Sequence, residues 1–280
     1  MVTAGEPVPA LYETGTYRVE RPRLMTLAAP AVMRFERRRL KFVRGLRPPP
    51  ADLLDAGAGR GRFVAEAARA GYRARGIEPS ARGVESAAED GVELQRAGID
   101  DAAIAASSLD IVSLWHVLEH LEDAEAALAR IHAWLRPGGL LLVGVPNAAS
   151  LQARLFGTRW FHLDVPRHRT HFTPEGLSAL LGRSGFEILE SHHLLAEHNP
   201  FGMWQSLLNL VTRERAYFYN FVKRNAAARP RDLLLTLLAV PLAPLACLLE
   251  AAAGSAGHGG TVAVLARRMP VPERAELSDG

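Results

Sequence analysis

Short apolar runs alternate with amphipathic stretches through most of the chain, and this alternation predicts an α/β fold. Strand-length apolar runs separated by helices are typical of an open, mostly parallel sheet. We therefore predict a doubly wound, seven-stranded sheet with helices on both faces. The predicted strands are residues 53–55, 72–77, 92–96, 109–114, 140–145, 186–190 and 261–266, and the predicted core helices are 63–70, 81–89, 124–135 and 173–183.

An apolar helical insertion separates the last two predicted strands. Residues 233–249 contain only Thr236 as a hydroxylated break and carry Pro241 and Pro244. Their length is at the margin for a bilayer-spanning helix, which needs about 20 apolar residues. A single crossing would also leave the final strand on the far side of the membrane, where it could not complete the sheet.

Three arrangements remain open for this insertion. It is a proline-bent interfacial or re-entrant helix, a helix pair buried in a homodimer, or a helical subdomain over the active site. Basic residues just before it would suit anionic lipid headgroups. Those residues are Lys223, Arg224, Arg229 and Arg231.

The predicted core is flanked by segments of different character. Residues 1–47 form an N-terminal extension that ends in a basic amphipathic helix. The charged face of that helix is predicted to be solvated, with contact to anionic lipid or a phosphorylated substrate as the alternative. The other segments are the core at 48–195 with a lid loop at 147–172, the insertion at 196–258, the last strand at 259–268 and a tail at 269–280.

Composition and charge narrow the class of protein. The chain has 280 residues, is 48% hydrophobic and carries a formal net charge of +3. Its arginines are not interleaved with aromatic residues, so nucleic acid is not an expected partner. The single cysteine, Cys247, excludes an internal disulfide, and its apolar neighbours predict a buried thiol. The first residues lack the pattern of a signal peptide, so we expect a cytoplasmic protein.

Candidate chemistry begins where the first predicted strand meets its helix. Asp55 is followed by Gly57, Gly59 and Gly61, and such glycines let the backbone turn tightly and approach a ligand closely. In an open α/β sheet this turn borders the crevice that receives nucleotide-like ligands. Glu78 ends the second strand, where an acid accepts hydrogen bonds from ribose hydroxyls. An ordinary surface carboxylate is the alternative for Glu78.

Five segments follow one another along the chain: DAGAGRG at 55–61, GIEPS at 76–80, LDIV at 109–112, WHVLEH at 115–120 and LRPGG at 135–139. In this order they resemble the successive motifs of class I S-adenosylmethionine-dependent methyltransferases. The resemblance is strongest to the subgroup that methylates small molecules, quinone precursors, sugars and lipid-linked glycans. It implies a Rossmann-like fold and S-adenosyl-L-methionine as the cofactor.

The resemblance also assigns a role to each part of the cofactor pocket. In this family the glycine turn is not a pyrophosphate cradle, and nothing in the chain matches a hydride-accepting site. A nicotinamide-dependent dehydrogenase is therefore disfavoured. The implied positions are Asp55, Gly57, Gly59 and Gly61 for the amino-acid end, Glu78 for the ribose, Asp101 or Asp100 for the adenine, and Trp115 with His116 beside the sulfonium.

Histidines are the candidates for removing a proton from a hydroxyl acceptor, because their pKa lies near neutrality. His116 and His120 follow the fourth predicted strand, and His162, His168 and His171 lie in the lid loop. We predict that His171 or His168 is the base and that His116 belongs to the cofactor pocket. As alternatives, the pair of Glu119 and His120 stabilises a turn, and the lid histidines hydrogen-bond to the loop backbone.

The expected activity is methyl transfer from S-adenosylmethionine to an oxygen of a lipid-linked, isoprenoid or glycan-like molecule. No metal ion is expected, since a site built from Asp164 and the lid histidines is disfavoured. The alternatives are a methyltransferase for a soluble natural product, with the insertion used for dimerisation, and a non-catalytic cofactor-binding scaffold. Peripheral contact with the inner face of the membrane is expected to accompany a lipid-linked acceptor.

Overall fold

A six-stranded sheet forms the centre of the computed structural model, which describes residues 23–193, 195, 199–223 and 225–270. The strands are β1 (Asp52–Ala56), β2 (Arg73–Ile77), β3 (Leu109–Trp115), β4 (Leu135–Pro146), β5 (Phe186–His192) and β6 (Thr261–Arg268). Their spatial order is β2-β1-β3-β4-β6-β5. The predicted N-terminal lead-in at 1–22 and the tail from 271 onward lie outside the described residues.

Helices cover both faces of the sheet, because successive side chains of each strand point to opposite faces. Leu54 packs in one apolar cluster with Leu128 and Leu177, whereas Leu53 packs in another with Leu40 and Phe63. The helices are α1 (Arg23–Arg44), α2 (Arg62–Arg69), α3 (Ala81–Glu89), α4 (Ala124–Trp134), α5 (Leu151–Phe156), α6 (Pro174–Arg183), α7 (Asn199–Asn209), α8 (Tyr217–Val222), α9 (Pro230–Ala239) and α10 (Ala243–Ser255).

The prediction of seven strands is wrong by one, at residues 92–96. This stretch forms only an isolated parallel bridge between Gln95 and Ile77. The Gln95 N–H donates to the Gly76 carbonyl and the Glu78 N–H to the Gln95 carbonyl, both at 3.0 Å. The stretch lies at the sheet edge, where a ladder gains partners on one side only, and its polar side chains are exposed. It therefore follows β2 for a few residues without forming a strand.

The helix predicted at 124–135 passes directly into a strand. Helix α4 ends at Trp134, and Leu135 already pairs with Leu109 in β3. Gly139 lies inside β4, where a Cβ would stand 2.9 Å from the Arg136 carbonyl oxygen. The glycines at 138–139 thus allow a tight backbone path within the first part of β4 and do not cap the helix.

The final strand is antiparallel to both of its neighbours. Strand β6 lies between β4 and β5, pairing Val264 with Val143 on one side and with Ser191 on the other. The chain must therefore return to the sheet after helices α7 to α10. The strands before and after this helical segment, β5 and β6, lie in the same sheet, so both ends of the segment are attached to it.

Helices α9 and α10, joined by a 3-10 turn at Val240–Leu242, run along the surface of α7 and α8. The Trp204 indole N–H donates to the Ala239 carbonyl at 2.8 Å, at the proline-bent joint. Ala246 and Glu250 are buried on one side of α10, one helical turn apart. Cys247 lies off that side and is exposed, so the prediction of a buried thiol is wrong.

Candidate active site

The glycine turn after β1 has a backbone that residues with a side chain rarely adopt. Gly57, Gly59 and Gly61 have φ angles of 77°, 57° and 71°, in the left-handed region that favours glycine. A Cβ at Gly57 would also lie 2.4 Å from Cγ2 of Val117. The Gly57 N–H donates to the Ile77 carbonyl at 2.9 Å. These contacts hold the turn between the carboxyl ends of β1 and β2.

Glu78 follows β2 and joins the glycine turn to the start of α3. Its Oε2 accepts from the Gly59 N–H at 2.8 Å, and its Oε1 accepts from the Ser80 N–H at 3.0 Å. Gly83 packs against it, where a Cβ would lie 2.7 Å from Glu78 Cγ. Burial raises the pKa of Glu78. This buried, anchored carboxyl group differs from the surface carboxylate that was the alternative.

Arg39 is a site residue that sequence reasoning did not single out. It belongs to the basic run of α1, but its guanidinium lies 3.9 Å from the ring centre of Phe63 and 5.0 Å from that of Trp115. Such placement over aromatic faces is typical of cation–π contacts. Its position four residues before the buried Val43 was the available signal. The other basic residues of this stretch, Arg34, Arg37, Arg38, Lys41 and Arg44, are exposed as predicted for a solvated face.

Asp55, the last polar residue of β1, is the partner of Arg39. Arg39 Nη2 donates to Asp55 Oδ1 and to the Ser113 hydroxyl oxygen, each at 2.5 Å. Burial raises the pKa of Asp55, and the neighbouring guanidinium opposes that rise. The structure therefore places a buried ion pair at the end of β1, beside the glycine turn.

The two acids proposed for the adenine end are both exposed and have different roles. Asp101 Oδ1 accepts from the Gly98 N–H at 2.5 Å and so fixes a turn. Asp100 reaches Arg130 Nε at 3.8 Å, with 83% of its side chain exposed. Asp101 thus hydrogen-bonds to the backbone of the segment between α3 and β3, whereas Asp100 contacts a side chain of α4.

His116 comes directly after β3 and has an unusual backbone. Its φ is 54°, a conformation that is strained for residues with a Cβ and recurs at functional sites. Its Nδ1 lies 3.1 Å from Oε1 of Glu119, which is almost fully buried. Burial, with Arg39 nearby, lowers the pKa of His116 to about 4. His116 is therefore a neutral imidazole at neutral pH, oriented by a carboxyl group.

The other predicted histidines are engaged with the backbone of the lid loop. His168 Nδ1 donates to the His162 carbonyl at 2.6 Å, and His171 Nε2 donates to the Leu163 carbonyl at 2.8 Å. His120 Nδ1 donates to the Arg167 carbonyl at 3.0 Å. Burial lowers the pKa of His168 to about 4. These contacts correspond to the alternative in which the lid histidines hold the loop in place.

Aromatic rings of the lid form a wall opposite His116. The His162 ring stacks on the His116 ring with centroids 5.8 Å apart, and Trp160 packs edge-on against His162 at 5.9 Å. The indole nitrogens of Trp115 and Trp160 are buried, and neither has a hydrogen-bond partner among the described residues. Unpartnered buried donors at this place fit a ligand that supplies acceptors.

One group among the described residues has the geometry to hold a metal ion. Glu119, His120 and His168 each offer one ligand atom, and these atoms lie within 4.8 Å of one another. The Oε2 atom of Glu119 is buried and has no hydrogen bond among the described residues. This group differs from the set of Asp164 and the lid histidines that the sequence disfavoured as a metal site, and Asp164 pairs with Arg167 at 2.7 Å. Histidine and carboxylate ligands suit several divalent ions.

Comparison with known proteins agrees with this geometry. A family model described as "Methyltransferase domain" matches residues 28–191. The Ubiquinone biosynthesis O-methyltransferase of Nitrobacter winogradskyi is 27% identical over 200 residues, which is 66% of this chain and 74% of the relative. The enzyme of the same name from Rhodopseudomonas palustris (strain BisA53) is 28% identical over 198 residues, covering 66% and 75%.

Solved structures of methyltransferases share the fold. A SAM-dependent methyltransferase from Archaeoglobus fulgidus aligns over 85% of this chain and 94% of its own, with a TM-score of 0.55 and 17% identity. Phosphoethanolamine N-methyltransferase 2 of Haemonchus contortus, in complex with S-adenosyl-L-methionine, aligns over 84% and 53%, with a TM-score of 0.55 and 16% identity. From its glycine turn, its mixed sheet and the family model that covers more than half of its length, the chain belongs to the S-adenosylmethionine-dependent methyltransferases.

Proposed function

We propose that this methyltransferase acts on a hydroxyl oxygen of a lipid-linked, isoprenoid or glycan-like molecule, with His116 as the general base. The observation that carries the proposal is the pairing of His116 with buried Glu119 at the end of β3. S-adenosylmethionine, when bound, supplies a methyl group on a sulfonium that is already activated. The protein then has to align the acceptor oxygen and take its proton.

The residues around the glycine turn fit the cofactor. Glu78 presents a buried carboxyl group whose two oxygens are anchored by backbone N–H groups, which suits hydrogen bonds from ribose hydroxyls. Arg39 and Asp55 put one positive and one negative group side by side, complementary to the carboxylate and ammonium of an amino acid. Asp101 supports the turn on the adenine side. The buried indole N–H of Trp115 is a further donor beside Arg39.

His116 is a stronger candidate for the general base than His168 or His171, because of the hydrogen bonds that the ring nitrogens of each histidine make. Burial raises the pKa of Glu119, and the nearby His120 and His168 oppose that rise. When Glu119 is ionised, His116 Nδ1 donates to it, and the lone pair is then on Nε2, the tautomer that accepts a proton. A carboxylate that orients an imidazole in this way is a recurrent device for general bases. His168 and His171 each use one nitrogen to hold the lid. We assign them to loop positioning, not to proton removal.

The names of the relatives support the class of acceptor proposed here. The curated relatives are named Ubiquinone biosynthesis O-methyltransferase, which supports an oxygen acceptor. Purified protein, radiolabelled S-adenosylmethionine and a bacterial lipid extract should give a labelled product that partitions into organic solvent. Mass spectrometry of that product identifies the methylated atom. Label found only in water-soluble products would instead support a soluble natural product.

A second way to activate the hydroxyl is a divalent cation at Glu119, His120 and His168, favoured by the 4.8 Å spacing of their ligand atoms. Such an ion lowers the pKa of a bound hydroxyl. With His116 as the base, we expect protein dialysed against a chelator to keep its initial rate of methyl transfer. Loss of that rate, restored by Zn²⁺ or Mn²⁺ but not by buffer, would contradict the proposal and establish the metal-assisted route. Elemental analysis of the purified protein provides the control.

A further inference from the structure

The surface formed by α9, the 3-10 turn and α10 is apolar on its solvent side; we call it the leucine face. Leu237, Leu238 and Leu248 are 68%, 65% and 69% exposed. Among the described residues, Pro230–Ser255 is the helix long and apolar enough to cross a membrane, and only 17% of its most apolar window is buried. The other exposed members of the face are Leu234, Val240, Leu242, Leu245 and Leu249. A water-soluble protein rarely exposes so large a contiguous apolar area.

The inner side of the same helices carries small apolar residues together with buried polar groups, whereas the large leucines lie outside. This is the reverse of an ordinary amphipathic surface helix, whose large apolar residues face the protein. Asp232, Thr236 and Glu250 are buried. Glu250 accepts from the Gln152 side chain at 2.7 Å and from the Gly260 N–H at 2.5 Å, and Thr236 donates to the Asp232 carbonyl at 2.7 Å. Polar groups inside and leucines outside are the arrangement expected of helices whose outer side meets an apolar medium.

Helix α7, beneath the leucine face, packs with both apolar and polar side chains: Met203, Trp204 and Leu208 form an apolar cluster with Ala246, and polar residues are buried beside them. These polar side chains are hydrogen-bonded to the lid and to the following loop: the Phe161 N–H donates to Ser206, and Asn209 donates to the Arg159 carbonyl at 2.9 Å. The Ala216 N–H donates to Asn209 at 2.8 Å. The leucine face is thus placed outward while apolar and polar contacts on the inner side join the insertion to the methyltransferase domain.

The geometry excludes a simple crossing of a bilayer. Protein contacts are spread along the whole helix, from Asp232 through the Trp204 bond at Ala239 to Ala253 near its end. Strand β6 then returns to the centre of the sheet. A helix covered by protein along one side and fixed at both ends lies in the plane of an interface.

The charges beside the leucine face favour anionic lipid over a second copy of the chain. Leu210 and Val211 extend the apolar surface at 52% and 48% exposure, and Arg231 Nη2 donates to the Val211 carbonyl at 3.3 Å. Exposed arginines adjoin them at Arg213 and Arg215. A second copy would present the same basic residues, which offer no opposite charge to one another, whereas anionic headgroups attract them.

We propose that the leucine face is a monotopic membrane-binding surface that lies in the interface of a phospholipid bilayer containing anionic lipid. The inference goes beyond the proposed function and does not depend on methyl transfer. It would set the lid and His116 close to lipid-soluble acceptors, because α8 packs beside the lid through the Phe161 and Tyr219 rings, 5.5 Å apart.

The chain carries its own probe for this surface. Cys247 is the single cysteine and is exposed on α10, so an environment-sensitive fluorophore can be attached to the full, unaltered chain. Vesicles of phosphatidylcholine with phosphatidylglycerol should shift its emission to the blue and float the protein, and phosphatidylcholine alone should do so less. A Cys247→Ser, Leu46→Cys variant labels an exposed leucine elsewhere and should show no shift.

Substitutions then test which residues bind the vesicle membrane. The Leu238→Glu, Leu248→Glu variant should lower the vesicle partition coefficient roughly a hundredfold or more, since two leucines no longer enter the apolar region. Leu46→Glu, which adds a charge at another exposed leucine, should float like the wild type. Binding of S-adenosylhomocysteine, measured by calorimetry, should be the same in all three proteins and so reports folding independently of membranes and of acceptor.

Two outcomes overturn the proposal. A blue shift that depends on protein concentration and not on vesicles, with a dimer by light scattering that the double variant abolishes, assigns the leucine face to a second copy. If the wild type and the Leu238→Glu, Leu248→Glu variant float equally well, the surface that contacts lipid is not the leucine face.

Discussion

Replacing His116 by asparagine lowers kcat by about a hundredfold to ten-thousandfold, the usual contribution of a general base. Asparagine tolerates the left-handed backbone better than most residues, so it suits the φ of 54° at this position while removing the imidazole. The affinity for S-adenosylhomocysteine should stay within about twofold of the wild type. Kinetics with labelled cofactor and calorimetry with the product measure these two quantities separately.

A His116→Gly variant sharpens the same test. Glycine adopts a positive φ without strain, and the vacated space admits free imidazole. Added imidazole should restore part of kcat in this variant and none in His116→Asn. His171→Asn provides the comparison in the lid, because its Nε2 holds the Leu163 carbonyl and its loss should raise KM more than it lowers kcat. Full activity in His116→Asn would rule out His116 as the base, and a loss of kcat confined to His171→Asn would assign the base to the lid.

Replacing Arg39 by methionine destabilises the protein by about 3–5 kcal/mol, because it leaves the carboxylate of Asp55 buried without its counter-ion. Arg39 is 7% exposed and Asp55 3% at the side chain, so water does not replace the guanidinium. Chemical denaturation measures the change in the free energy of unfolding. Calorimetry should show weaker binding of S-adenosylhomocysteine as well, since Arg39 is assigned to its carboxylate.

The pH dependence of this variant identifies Asp55 as the cause. Burial already raises the pKa of Asp55 and Arg39 opposes the rise, so Arg39→Met raises it further above the unfolded value of about 3.9. A carboxyl group with a raised folded-state pKa stabilises the fold when protonated and loses that contribution as pH rises through this pKa. The deficit relative to the wild type should therefore shrink as the solution is acidified.

The Arg39→Met, Asp55→Asn variant is the matched control. It has no buried charge at this position, so it should regain part of the lost stability and show no comparable recovery in acid. An equal and pH-independent loss in both variants would assign the effect to lost packing on Phe63 and Trp115 instead of to charge.

Much of the core could be predicted because its signals are local. An apolar run that ends in Asp55 and three alternate glycines predicts a strand and a tight turn on steric grounds, and the structure has β1 and positive φ angles there. Helix α3 has its predicted bounds, since Ser80 accepts from the Gly83 N–H as an N-cap. The prediction of a strand at 92–96 was wrong because the apolar content of a segment does not show how many strands will lie beside it in the sheet.

The sequence by itself determined the α/β order, the glycine turn, the acid after β2 and the presence of an apolar segment before the last strand, since each depends on neighbours along the chain. Only the tertiary structure decided which groups meet. It buried Arg39 against Asp55 across 16 positions, tied the lid histidines to carbonyl groups, left His116 with Glu119, and turned the leucines of α9 and α10 outward. Periodicity shows that a helix has two faces, but the packing of α9 and α10 on α7 determines which face points out.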